Sequence, residues 1–321
     1  MKTAFALFTI LTLNPVFADA PLSAGKPIAL PGTKGAFDFL EIDSSKNRLL
    51  ADHTGNASLD VIDLSNGALL KSIPTGAAQG VAVDDAGGKY YVSVSKQKKL
   101  VTVDRESLSV TGEIALSGPA DALAFDSKNG CAYVGHDDAK EVWVVDMKAG
   151  KVTGSVAIAE GPEYVIYDAG SDRIFQNIKS NDTVAVIAPG TNTVTASWPT
   201  APATHPHGLA FEAKTNRLFI AGNNGELVVL DAATGKLTAS AKIAPGVDQI
   251  AFDDGLRRVY CASATGVISV VQITDAGATS LGDVKTAKGA KTLTVDQKTH
   301  AVWTAYAEGA GSFVLKLDAG K

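Results

Sequence analysis

Seven polar side chains recur along the chain: Asp38, Gln79, Asp121, Glu163, His207, Asp248 and Lys291. Each stands five residues before an acid that ends a short apolar run. Those marker acids are Asp43, Asp84, Asp126, Asp168, Glu212, Asp253 and Asp296, spaced 41–44 residues apart. If the fold gathers one such side chain from every repeat, three chemistries are within reach. His207 with Asp38, Asp121, Glu163 or Asp248, and with His205 two residues away, could hold a divalent metal as cofactor. Imidazole with carboxylates suits a borderline ion, or Ca²⁺ where the acids dominate. A carboxyl of perturbed pKa beside His207 could serve as an acid–base pair in a hydrolase or lyase. The sequence shows no nucleophile elbow and no Ser-His-Asp order. A binding face for a small ligand or a partner needs only a shaped polar surface. Crowded carboxylates raise one another's pKa, so the cluster is expected to take up protons or a cation on binding.

A second set lies ten residues after the marker, where His53, His136 and Tyr306 stand in their respective repeats. Asp137, Lys179, Asn223 and Asn224 are close by. With His205 and His207, four of the five His then map to one end of the repeat unit. His300 falls in the turn at the other end and is expected to be solvated.

These positions depend on the elements around them. The fragments GVAVDDAGGKYYV, ALAFDSKNGCAYV and GLAFEAKTNRLFI share one pattern, an apolar strand ending in an acid, a turn, and a second apolar strand. In the second repeat the alternation predicts strands at 80–83, 90–94, 100–103 and 110–114. Turns carry Gly, Asn, Asp and Ser, as in Leu64-Ser65-Asn66-Gly67. Four strands at a period of about 40–45 residues indicate an all-β, seven-bladed β-propeller with four-stranded blades. The last repeat ends after its third strand. Lys26–Leu30 (KPIAL) reads as the missing fourth, giving a 1+3 closure by the N-terminal strand. The first strand of each blade is then innermost, and the seven polar positions lie at one mouth of the central channel.

The repeat also marks the scaffold residues. The marker acids, and Asp63, Asp104, Asp146, Asp231 and Asp318 at the ends of third strands, are suited to bonding the backbone of their own turns. Cys131 and Cys261 fall in blades nearly opposite each other and read as buried free thiols. Trp143, Trp198 and Trp303 read as packing residues.

The units resemble the YVTN-type repeats of YncE-like seven-bladed propellers. Ala132–Asp146 (AYVGHDDAKEVWVVD) and Arg217–Leu237 (RLFIAGNNGELVVLDAATGKL) carry the resemblance best. It spans residues 21–321. It implies an exported binding or surface protein, with no catalytic motif to carry over. More distant propellers of this size include lactonases, lyases and quinoprotein dehydrogenase subunits. A metal-dependent hydrolase or lactonase, a lyase, or a quinoprotein-type redox subunit on the same face is therefore the alternative.

Composition narrows the partners. The chain has 321 residues, a net charge of -5 and two Cys. Nucleic-acid affinity comes from Lys and Arg neutralising phosphates, so an acidic chain with an acidic mouth speaks against DNA or RNA. Two Cys exclude a disulfide framework, and the sequence holds no CxxCH and no HExxH. Residues 1–20 read as a signal peptide: a basic start, an apolar stretch (AFALFTILTL) too short to span a membrane, and Ala18-Asp19-Ala20 as cleavage site. The expected product is a periplasmic or secreted monomer without a membrane span. Its expected partner is a small molecule or a periplasmic or outer-membrane protein.

Overall fold

The computed structural model describes residues 20–320. The expected leader lies outside the described residues apart from Ala20. Six repeats each fold into a four-stranded antiparallel sheet of consecutive strands. In blade 2 the strands are Ala78–Asp84, Lys89–Val94, Lys99–Asp104 and Ser109–Ala115. The first strand of each blade packs against the first strand of the next, and the seventh against the first. Seven inner strands thus close a ring around a channel. The apolar alternation has a matching destination, since each blade–blade junction holds one apolar cluster. Between blades 1 and 2, for example, Leu50, Leu59 and Val61 meet Val81, Tyr90 and Val92.

Blade 7 supplies three strands, Thr292–Asp296, Ala301–Glu308 and Gly311–Ala319. Its outermost position is filled from the N-terminal end. Leu22–Ala24 and Ile28–Ala29 both pair antiparallel with Gly311–Ala319. The expected single strand at Lys26–Leu30 is thus two short pieces. Pro27 has no N–H to donate and Gly25 favours a break, which explains the interruption. Leu22 and Leu30 are buried by this arrangement. Removing residues 21–31 should cost roughly 3–6 kcal/mol, at about 1.5–3 per leucine side chain. Urea unfolding would measure it, and an unchanged midpoint would show that the segment carries no stability.

The marker acids hold their turns. The Asp126 carboxylate accepts the N–H groups of Lys128 (3.0 Å) and Asn129 (3.1 Å), and Asp253 those of Gly255 and Leu256. Asp63, Asp104, Asp146 and Asp231 do the same after third strands. Asp318 differs: it lies within Gly311–Ala319 and pairs with Lys316 at 2.9 Å. His300 is not simply solvated, since its Nδ1 stands 2.9 Å from Asp253 Oδ1. Both Cys are free thiols, Cys261 buried and Cys131 only half-buried. Trp143 and Trp303 are buried, and Trp198 packs partly buried between blades 4 and 5.

One marker acid does more. Asp43 of blade 1 receives Arg105 Nε (2.9 Å), Arg105 Nη2 (2.7 Å) and the Tyr90 hydroxyl (2.6 Å), all from blade 2. The side chains of Arg105 and Asp43 are 4% and 1% exposed. Burial alone would raise the Asp43 carboxyl, but Arg105 and Tyr90 outweigh it and hold it below its ordinary value. Tyr90 is itself pushed up to about 12 by burial and by Asp43.

Candidate functional site

A β-bulge explains how the seven polar residues reach the channel. In blades 2 to 6 the register between first and second strands shifts at one place. Gln79, Asp121, Glu163, His207 and Asp248 each fall inside that shift. A bulge leaves its extra residue unpaired and re-aims the side chain. Asp38 and Lys291 reach the same level from just before their inner strands, Phe39–Asp43 and Thr292–Asp296. All seven line one cavity of 240 Å³, together with Asp137 and Lys179. Phe39, Tyr164 and Gln249 form its floor. Gln249 Nε2 donates to Leu40 O (2.9 Å), and its Oε1 accepts from Leu40 N (3.1 Å) and Leu293 N (3.2 Å). That one side chain therefore ties blades 6, 1 and 7 together.

The charges alternate around the mouth. Lys291 Nζ lies 3.1 Å from Asp38 and 2.9 Å from Asp248. His207 Nδ1 lies 3.4 Å from Asp248 and 3.0 Å from Glu163. Lys179 Nζ lies 2.5 Å from Glu163. A chain of ion pairs thus runs from Asp38 to Lys179 and leaves Asp121 and Gln79 at its gap. Burial disfavours the His207 imidazolium, but the Asp248 and Glu163 carboxylates outweigh it and hold the group up at about 9. Burial would likewise raise Glu163 and Asp248; His207 and the lysines reverse this and lower both. Asp38 is raised by burial in spite of Lys291. Asp121 is raised well above the usual carboxyl range by burial, then by Glu163, Asp38 and Asp137. The expected mutual raising of all four acids is therefore corrected. It holds for Asp38 and Asp121, while interleaved cations reverse it for Glu163 and Asp248.

Not every expected residue arrives. His53 is fully buried, with Nδ1 2.7 Å from Asp60 and Nε2 2.9 Å from Gly35 O, and it stacks on Phe37. His136 stacks on Trp143 and pairs with Glu141 and Asp138. Tyr306 is buried in the cluster between blades 6 and 7 and stacks on Phe313. None of the three lines the mouth. They sit on second strands, one strand out from the channel, and their side chains pack among the blades instead of reaching it. His205 borders a shallow pocket beside His207, Asn223 and Asn224 instead of the mouth itself. The floor residues Phe39, Tyr164 and Gln249 escaped sequence reasoning. Their signal is size: four residues before the marker, the other blades carry Gly80, Ala122, Gly208 and Thr292.

Glu163, His207 and Asp248 can each offer a ligand atom within 4.8 Å of the others. They fit a divalent ion only in part. The Nδ1 of His207 is buried 3.0 Å from Glu163 and 3.4 Å from Asp248, without an aligned hydrogen bond to either carboxylate. Lys179 and Lys291 already engage the remaining carboxylate oxygens. A metal would have to displace a proton and loosen both lysines.

No protein-family model and no curated protein matches the chain. Solved structures do. The RRP9 WD40 repeats share 10% identity at a TM-score of 0.79, over 93% of this chain and 100% of that one. A chain of the Mitotic Checkpoint Complex shares 12% at 0.79, over 99% of each. A chain of the hydrazine synthase of Kuenenia stuttgartiensis shares 12% at 0.74, over 95% of this chain and 98% of that one. At such identities the likeness extends to fold alone: the chain is a seven-bladed β-propeller with WD40-like neighbours.

Proposed function

We propose that this chain is an exported, YVTN-type binding propeller whose polar channel mouth takes a small polar group. That group belongs to a free ligand or to the tip of a periplasmic or outer-membrane partner protein. The observation that carries the reading is the convergence of one polar side chain from every blade on a single cavity. Three cations there offset Asp38, Glu163 and Asp248, with Asp121 and Asp137 beside them, so the mouth offers both hydrogen-bond donors and acceptors. The leader-like N-terminus and the YVTN-like repeats support export. Among the described residues no helix is long and apolar enough to cross a membrane.

The test uses the protein as purified from its native compartment. Lys291→Gln should reduce co-purifying ligand or partner by about tenfold or more, the loss of one charged hydrogen bond of about 1.5–3 kcal/mol, and Asp121→Ala, which removes a raised carboxyl, by a smaller factor of several-fold. Lys128→Gln, in the turns at the far end, should leave it unchanged. Retention by both mouth variants would refute the reading. A metal-dependent enzyme is the second reading, favoured by the Glu163–His207–Asp248 donor set. Elemental analysis decides it: one equivalent of metal, lost on His207→Gln, would replace the binding reading.

A further inference from the structure

Beyond the mouth the channel changes character. Phe39, Tyr164 and Gln249 face the mouth on one side and deeper space on the other. That space comprises two adjoining cavities of 320 and 470 Å³, which share Glu41, Ile42 and Ile166 and so form one chamber. It extends to the far end of the ring, where Asp85 and Lys298 stand at its rim. Its size falls within the range of small-molecule sites, about 300–1,000 Å³.

The chamber wall is built from the position two residues before each marker acid. Four blades place Ala there, at 82, 124, 210 and 251, and two place Ile166 and Thr294. Only blade 1 places an ionisable group, Glu41. The small residues keep the chamber open; its part against blades 5 to 7 is mainly apolar, and its part against blades 2 and 3 is more polar. The Glu41 carboxyl accepts one hydrogen bond, from its neighbour Ile42 N at 2.9 Å, and has no ion pair among the described residues. Burial holds it up at about 7, with a smaller push from Asp43. The other titratable groups near it are Asp52 on the adjacent strand and Tyr164 of blade 4. Lys298 at the rim is turned to Ser44 O, 2.6 Å away. A carboxyl withdrawn from bulk water without a cation is costly, and a cationic guest relieves that cost.

We propose that this lower chamber is a second binding site, for a small organic amine. Its apolar body occupies the alanine-walled space and its ammonium group pairs with Glu41. The Phe39 and Tyr164 rings, 5.3 Å apart, form the inner end and suit a cationic guest. The site opens at the end away from the mouth and stands independently of the mouth's function.

Calorimetric titration of the full protein at about pH 8 tests it, with phenethylamine and the neutral phenethyl alcohol as probes. Wild type should bind the amine more tightly than the alcohol. Glu41→Gln should weaken the amine by about tenfold or more and leave the alcohol within about twofold. Ala251→Leu, which narrows the chamber from blade 6, should weaken both. The proposal is overturned if wild type does not bind phenethylamine, or if Glu41→Gln binds it as tightly as wild type. It is equally overturned if Asp121→Asn abolishes binding, since the probe would then sit in the mouth.

Discussion

Arg105→Met should lower stability by about 3–5 kcal/mol, the loss that follows when one member of a buried pair is left alone. Arg105 makes two of the three inter-blade contacts to Asp43, both side chains are almost fully covered, and Arg105 also pairs with the exposed Asp85 at 2.9 Å. Without the guanidinium, burial pushes the Asp43 carboxyl upward, and only the Tyr90 hydroxyl and its own turn still favour the charge. The sign of the pH effect then inverts. In wild type the lowered Asp43 adds stability above its unfolded value, which is lost as pH falls through the folded one. In the variant a raised Asp43 penalises folding at neutral pH and less so once it is protonated. The deficit should therefore shrink toward about pH 4. Asp43→Asn combined with Arg105→Met should recover much of the loss, because no unpaired buried charge remains. Urea denaturation of the four proteins completes the cycle. A single Arg105→Met within about 1 kcal/mol of wild type would show that blades 1 and 2 are held by their apolar cluster alone.

The second large effect is alkaline. His207 rises from 6.5 to about 9 in the folded chain, a shift worth about 3 kcal/mol at 1.36 per unit. A raised folded value contributes fully below the unfolded one and is lost as pH climbs through the folded one. Wild type should therefore lose about 3 kcal/mol between about pH 6.5 and 9. The side chain is 16% exposed, so solvent screening takes little of this. His207→Gln should flatten that slope, and it should sit below wild type at pH 6 and close to it at pH 10. Glu163 and Asp248 are lowered by the same contacts, so their share is lost instead as pH falls into the acid range. Melting temperature against pH in both proteins reads the effect. Parallel curves from pH 6 to 10 would mean that the imidazolium is not held by the two carboxylates.

The ring of blades was legible because each repeat writes its own punctuation: an apolar strand, an acid that binds its turn, and a second strand. The convergence of Asp38 to Lys291 followed from that period alone. The bulge did not, because nothing in Gln79 or Asp121 as residue types signals an unpaired backbone position. The alternation of charge was also hidden. Lys179 enters from the loop after the second strand of blade 4, so sequence distance conceals its contact with Glu163. His53, His136 and Tyr306 were misplaced for one physical reason. The height along a blade is readable from the repeat, but a second strand stands one strand out from the channel, so its side chains pack among the blades. Glu41 was masked by its neighbours in Phe-Leu-Glu-Ile-Asp, and it stands out only when its column is read against four alanines.

The central claim is that the mouth is the recognition site. A crystal structure of the protein taken from its native compartment, with no ligand added, tests this most directly. The binding reading predicts ordered non-solvent or partner density in the mouth, within hydrogen-bond reach of Asp121, His207 or Lys291. A mouth holding only water, with the co-purifying ligand or partner seated on another surface, would contradict it.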